Sequence, residues 1–138
     1  MSNLEHPSVK RVRAALAEAD SPSNVIELSE TARSAQDAAD SIGTELGSIV
    51  KSLVFAVGGK PVMALIAGDR QCDTKALPVA LGLEGKAKRA DADLVRGATG
   101  FAIGGVAPLA HEQKLPIAID AHLVCRDHTV AVVVEAVA

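Results

Sequence analysis

The 138-residue sequence has no tryptophan and no tyrosine, and only two phenylalanines, Phe55 and Phe101. A chain so poor in aromatics cannot hold nucleic acid on a stacking platform. Two cysteines, Cys72 and Cys125, are too few for a disulfide framework. No apolar run reaches the ~20 residues that span a bilayer. The opening "MSNLEHPSVKRVRAAL" is charged where a signal peptide would be apolar. These absences predict a cytoplasmic protein with no membrane partner. Positive charge is not in excess either: 14 Lys and Arg stand against 17 Asp and Glu, a net charge of −3. A generally basic nucleic-acid coat is excluded, and any such contact must be local. The best local candidate is "KAKR", Lys86 to Arg89.

What is present is aliphatic. Hydrophobic residues make up 49% of the chain, enough for the core of one ordinary domain. Pro7 to Ala19 reads as a helix with Val9, Val12 and Leu16 on one stripe. "VIEL" (25–28) reads as a short strand. Ser34 and Asp37 have capping-box spacing for a second helix, which Gly43 would stop. "IVKSLVFAV" (49–57), "GGK" (58–60) and "PVMALIA" (61–67) form the clearest hairpin, apolar on both faces and so expected at the centre of a sheet. A helix capped by Asp73 is expected to be short or kinked at Pro78, placed beyond its first turn. "KAKRA" (86–90) suits an edge strand. Asp91 caps a helix ending near Gly97 or Gly100. "FAI" (101–103), "LPIAIDAHLVC" (115–125) and "TVAVVV" (129–134) are read as further strands. The order predicts an α+β single domain, residues 1–138, with a mixed, barrel-like sheet flanked by helices. No G-x-G-x-x-G follows a first strand, so a dinucleotide fold is excluded. P-loop and G-x-S-x-G signatures are also absent.

Several residues carry chemistry. Strand alternation aims Lys51 with Leu53, Phe55 and Val57. A lysine in such a run either snorkels from the strand's start or waits in a pocket for an anion or carbonyl. Gly104-Gly105 is either a bend or a backbone donor site free of side chains, with Pro108 stiffening the loop. His111 is either an acid or base near that loop or a polar surface residue. His122, Cys125 and His128 are evenly spaced but too few for a closed zinc site, so no metal is expected. Cys72 lacks a histidine partner and reads as a plain thiol.

"IVKSLVF" and "TGFAIGGVAPLAH", about fifty residues apart, together resemble the YbaK/ProX family of prolyl-tRNA editing and aminoacyl-tRNA deacylase domains. The resemblance runs from about residue 25 to 128. It implies a hydrolase that removes a wrong amino acid from mischarged tRNA, usually tRNA(Pro) carrying Cys, Ala, Ser or Thr. It implies no metal and no cofactor. Lys51 falls on the family's essential lysine, near the terminal adenosine, and Gly104 and Gly105 fall on its Gly-Gly-x-x-Pro loop, whose amides orient the ester carbonyl. Thr31, Thr99, Phe101, Val106, Pro108 and His111 are the expected substrate contacts. Arg70, Lys75, Lys86, Lys88 and Arg89 are the expected tRNA contacts. Prolyl-tRNA synthetase is a candidate partner, with the chain a monomer or homodimer. Family members usually continue past "HTVAVVV", whereas the sequence given ends at Ala138. The alternative reading is therefore a non-catalytic tRNA- or synthetase-binding module.

Overall fold

A nine-residue strand with apolar side chains of both parities needs cover on both faces. That strand is β1, Ile49–Val57, and it is the centre of the computed structural model, which describes residues 6–21, 25, 34–103, 105–124 and 131–132. β1 pairs antiparallel with β2, Lys60–Ala67, from Val50↔Ala67 to Val57↔Lys60. The connection is a two-residue turn: Gly58 and Gly59 have φ of 56° and 83°, the pair of positive values that a type I′ hairpin requires. A Cβ on Gly58 would also lie 2.9 Å from the Glu84 carbonyl oxygen.

Three short strands extend the hairpin, two beside β1 and one beside β2. β3, Ala87–Arg89, runs antiparallel to the end of β1. β4, Ile117–Ile119, runs parallel to β2. β5, Ala131–Val132, runs parallel to the start of β1. The sheet is mixed, as expected, with order β3-β1-β2-β4. Among the described residues nothing pairs its two edges, so it is open and not barrel-like.

Helices cover both faces. Val54 and Met63 face α1 (Pro7–Glu18), α4 (Ala92–Thr99) and the segment after α4, in a core with Val12, Val95, Ala98, Phe101, Val106 and Leu115. Phe55, Val57, Val62, Ala64 and Ile66 face α3 (Ala76–Leu81) through Leu77. α2 (Ala35–Ile42) packs Ala38 and Ala39 on Ile49. Local chemistry sets the ends. Pro7 opens α1 behind His6, whose Nδ1 accepts from the Ser8 amide. Ser34 and Asp91 accept from the third amide beyond them, capping α2 and α4. No helix among the described residues is long and apolar enough to cross a membrane.

Four expectations need correction. The Pro78 helix is short, as expected, with six residues, but the cause is not a bond lost at Pro78. Asp73 accepts from the Lys75 and Ala76 amides, so α3 starts later and Pro78 falls in its first turn, where no partner for its nitrogen is needed. Phe101 to Ile103 is not a strand. Gly100 caps α4 at φ 79°, the Thr99 hydroxyl accepts from the Phe101 amide at 3.0 Å, and the Gly105 amide closes a turn on the Ala102 carbonyl at 2.9 Å. Residues 115–125 are not one strand either: β4 stops at Asp120, which starts α5, Ala121–Val124. The sheet's closure is the fourth. The strand expected at 25–28 lies outside the described residues apart from Val25, which is in no element. Phe101, with no exposed surface, anchors the larger core. Phe101→Ala is expected to cost ~3–5 kcal/mol in urea unfolding, while Val79→Ala, at a site 80% exposed, should stay within about 0.5 kcal/mol.

Candidate active site

Lys51 follows the alternation of β1 and lies on the face of Leu53 and Phe55. It is half-buried, and its ammonium donates to the Arg70 carbonyl at 2.5 Å, beyond the end of β2. No ion pair joins it to a carboxylate among the described residues. The nearby carboxylate is committed elsewhere. Asp120 Oδ2 accepts from the Ala67 amide at 3.2 Å and lies 3.3 Å from Arg70 Nε. Its Oδ1 accepts from the His122 amide at 3.0 Å. The Asp120 side chain is 8% exposed, against 47% for Arg70. Burial opposes ionisation of Asp120, but the two amide bonds and Arg70 outweigh it and hold the carboxyl below its ordinary range.

Cys72 packs at the same corner, against the α3-side core. Burial, then the charges of Asp73 and Asp120, push its thiol above the ordinary range, and Lys51 only partly offsets them. A thiol so raised stays protonated near neutral pH and is a poor nucleophile. It remains a plain thiol, as its sequence context predicts. His122 lies in α5, exposed, while Cys125 and His128 lie outside the described residues. No cluster of three metal-ligating side chains occurs among the described residues.

The segment after α4 sits on the other face of the hairpin. Phe101 and Val106 pack on Val54 and Met63, so their anchors and the Lys51 side chain leave β1 on opposite sides. The expected pocket shared by Lys51 and the Gly-Gly loop includes Gly104, which lies outside the described residues; the loop's anchors, Phe101 and Val106, lie on the hairpin face opposite Lys51. Gly104 lies outside the described residues, as does Thr31. The Gly105 amide serves the turn with Ala102 rather than standing free as a donor. Thr99 and Phe101 are fully buried; the Thr99 hydroxyl donates to the Val95 carbonyl at 2.7 Å. Both hold the loop from within the core. Val106 is buried and Pro108 half-buried. His111 Nε2 bonds the Ala107 carbonyl at 2.7 Å, and its ring meets Phe101 edge-on at 6.3 Å, so it closes the loop.

The five expected tRNA contacts are all exposed, and they divide between the faces. Arg89 opposes Phe55 in the β1–β3 register and lies over its ring at 5.8 Å, on the Lys51 face. Arg70 bonds Lys51 there, and Lys75 precedes α3 on that side. Lys88 opposes Ala56 and points to the other face. Lys86 lies just before β3.

Sequence reasoning overlooked three residues. Asp120 was hidden in an apolar run read as one strand. Arg11 lies off the apolar stripe of the first helix, and nothing in its local sequence marks it. Ser52 follows Lys51 and opposes Leu65. Both are partly exposed in the middle of a largely buried hairpin, yet the Ser52 hydroxyl is buried with no hydrogen-bond partner among the described residues. Only the placement of a serine inside an apolar strand hinted at it.

Asp120 gives a pH test. A carboxyl whose folded pKa is depressed stabilises above its unfolded pKa, ~3.9, and that contribution is lost as pH falls through the folded value. The stability gap between wild type and Asp120→Asn, from urea unfolding, should be constant near neutrality and shrink below about pH 4. A gap independent of pH would contradict the assignment.

Comparison with known proteins agrees with the fold and with the motifs. Residues 29–136 match the aminoacyl-tRNA editing domain. The chain is 33% identical over 111 residues to the uncharacterized protein YwhH of Bacillus subtilis (strain 168), covering 78% of this chain and 69% of that one. It is 37% identical over 90 residues to EbsC of Enterococcus faecalis (strain ATCC 700802 / V583), named as a candidate Cys-tRNA(Pro)/Cys-tRNA(Cys) deacylase; 64% of this chain and 54% of EbsC are covered, so the chain spans about half of that relative. A crystal structure described as a candidate trans-editing enzyme for prolyl-tRNA synthetase superposes with a TM-score of 0.77 and 38% identity, over 85% of this chain and 74% of that one. With the match running through the β1–β2 hairpin, the Lys51 strand and the glycine loop, the chain belongs to the aminoacyl-tRNA editing domain family.

Proposed function

We propose that the chain is a free-standing aminoacyl-tRNA deacylase acting on tRNA(Pro) carrying Cys, Ala, Ser or Thr. The observation that carries this reading is Lys51: a half-buried cation held by a backbone carbonyl, beside a carboxylate that Arg70 has already engaged. A cation with no carboxylate of its own among the described residues is suited to an anionic or strongly polar ligand. The 3′ end of tRNA supplies phosphates and a ribose, and Lys51 would exchange the Arg70 carbonyl for one of their oxygens.

The aminoacyl ester needs little chemical help. Water adds to its carbonyl, the bond to the ribose oxygen breaks, and that oxygen leaves with a proton. Positioning and stabilisation of the developing oxyanion can carry such a step without a protein nucleophile, which suits a protonated Cys72. In this reading the substrate spans the open end of the hairpin. Lys51 takes the adenosine end from one face, and the Gly104-Gly105 backbone meets the ester from the other. The Gly105 amide would then trade the Ala102 carbonyl for a charged oxygen, a stronger acceptor. Pocket size sets the amino acid removed, and one methylene is worth only ~1–3 kcal/mol. The protein would work in the cytoplasm, alone or as a homodimer, on tRNA released by prolyl-tRNA synthetase.

The engaged Gly105 amide favours a second reading, a tRNA- or synthetase-binding module without turnover. A panel of mischarged tRNA(Pro) species separates the two. The first reading expects turnover on at least one species, with kcat/KM lowered roughly 10²-fold or more in a folded Lys51→Ala variant. Binding without turnover on every species supports the second. For tRNA contact, the face shared by Lys51, Arg70, Lys75 and Arg89 is the proposed surface. Lys75→Glu with Arg89→Glu should weaken tRNA binding and reduce the slope of log K against log salt by about 1 to 2. An unchanged slope removes these two residues from the interface.

A further inference from the structure

The glycine loop is held by a residue far away in sequence. Arg11, on α1, reaches across to both ends of the segment that follows α4. Its Nη2 donates to the Thr99 carbonyl at 3.2 Å, 88 positions away, and to the Ala110 carbonyl, 99 positions away. Its guanidinium carbon lies 4.6 Å from the centre of the Phe101 ring. Glu112 Oε1 stands 3.7 Å from the same nitrogen. One planar cation therefore binds the entry carbonyl, the exit carbonyl and the buried aromatic between them. Both carbonyl bonds come from one nitrogen of the planar group, and only a guanidinium adds a flat face for the ring.

The loop shows why it needs such a clamp. Ala110 has φ 66°, a conformation unfavourable for a residue with a Cβ, and one that persists only where surroundings enforce it. Its carbonyl is one of the two that Arg11 holds. At the other end, a Cβ on Gly100 would run into the Arg11 guanidinium, so glycine there makes room for the clamp. The amides of Glu112 and Gln113 tie the exit back to the Thr99 and Ala98 carbonyls. Between the clamped ends lie Ala102 to Gly105, the turn that closes on the Gly105 amide. Arg11 also precedes the part of the chain that matches the editing domain, residues 29–136.

We propose that Arg11 is a positioning residue: from the N-terminal helix it sets the geometry of the turn that the Gly105 amide closes, and through that turn the rate of ester hydrolysis, without touching substrate. The kinetic half rests on the deacylase reading; the geometric half does not. The test uses Arg11→Lys, which keeps the charge and loses the planar group, and Arg11→Gln, both in the full chain. On the mischarged tRNA(Pro) species that wild type cleaves fastest, kcat should fall roughly 10- to 100-fold with KM nearly unchanged. A third variant, Arg11→Ala, should show the same loss, and guanidinium chloride at millimolar, non-denaturing concentration should restore part of it, a rescue that general destabilisation would not give. Independently of turnover, the Gly105 amide resonance should move in Arg11→Lys while amides of β2 stay in place. A folded Arg11→Lys with wild-type kcat overturns the kinetic half. A Gly105 amide unmoved in both folded variants overturns the proposal whatever the turnover. Wild type without turnover on any species, but with a displaced Gly105 amide in the variants, overturns the deacylase reading and leaves the clamp standing.

Discussion

β1 is apolar on both faces, and the rest of the molecule is arranged around that constraint. A strand of this kind is stable only when covered twice, so α3 closes one side while α1, α4 and the glycine segment close the other. The same alternation that distributes Val54 and Phe55 to separate cores also sends Lys51 to the α3 side and leaves the loop anchors opposite. The placement of the cation opposite Phe101 and Val106 is thus a consequence of strand geometry: one residue along the strand changes the face.

Charge at the end of β2 is apportioned by Asp120. It stops β4, starts α5, binds the Ala67 amide and engages Arg70. A buried carboxylate with these partners is satisfied and ionised, and little of its field is left for a second cation. Lys51 therefore rests on a carbonyl. This is a weaker hold than a carboxylate would give, and it makes the ammonium available to a ligand oxygen at smaller cost.

Much of this was legible locally. The helix caps at Ser34 and Asp91, the Gly58-Gly59 turn, the central hairpin and the direction of Lys51 all follow from rules that act within a few residues. Phe101 to Ile103 misled because an apolar triplet reads as a strand unless the Thr99 hydroxyl and the Gly100 cap are seen to turn the chain first. Residues 115–125 misled because Asp120 is one polar residue in an apolar run, and its partners come from β2. Arg11 was invisible for the same reason on a larger scale: its carbonyl partners lie 88 and 99 positions away, and no spacing rule reaches that far. The expected tRNA contacts were identifiable as cations, but their division between faces depends on the register of β3 with β1, which the sequence pattern does not fix.

The central claim is that one substrate engages both sides of the hairpin at its open end. A hydrolysis-resistant, amide-linked aminoacyl-adenosine titrated into isotopically labelled protein tests this directly. The account predicts that the Lys51 side-chain resonance and the Gly105 amide respond together, with a single dissociation constant. A response at one and not the other, or two separate titrations, would contradict it.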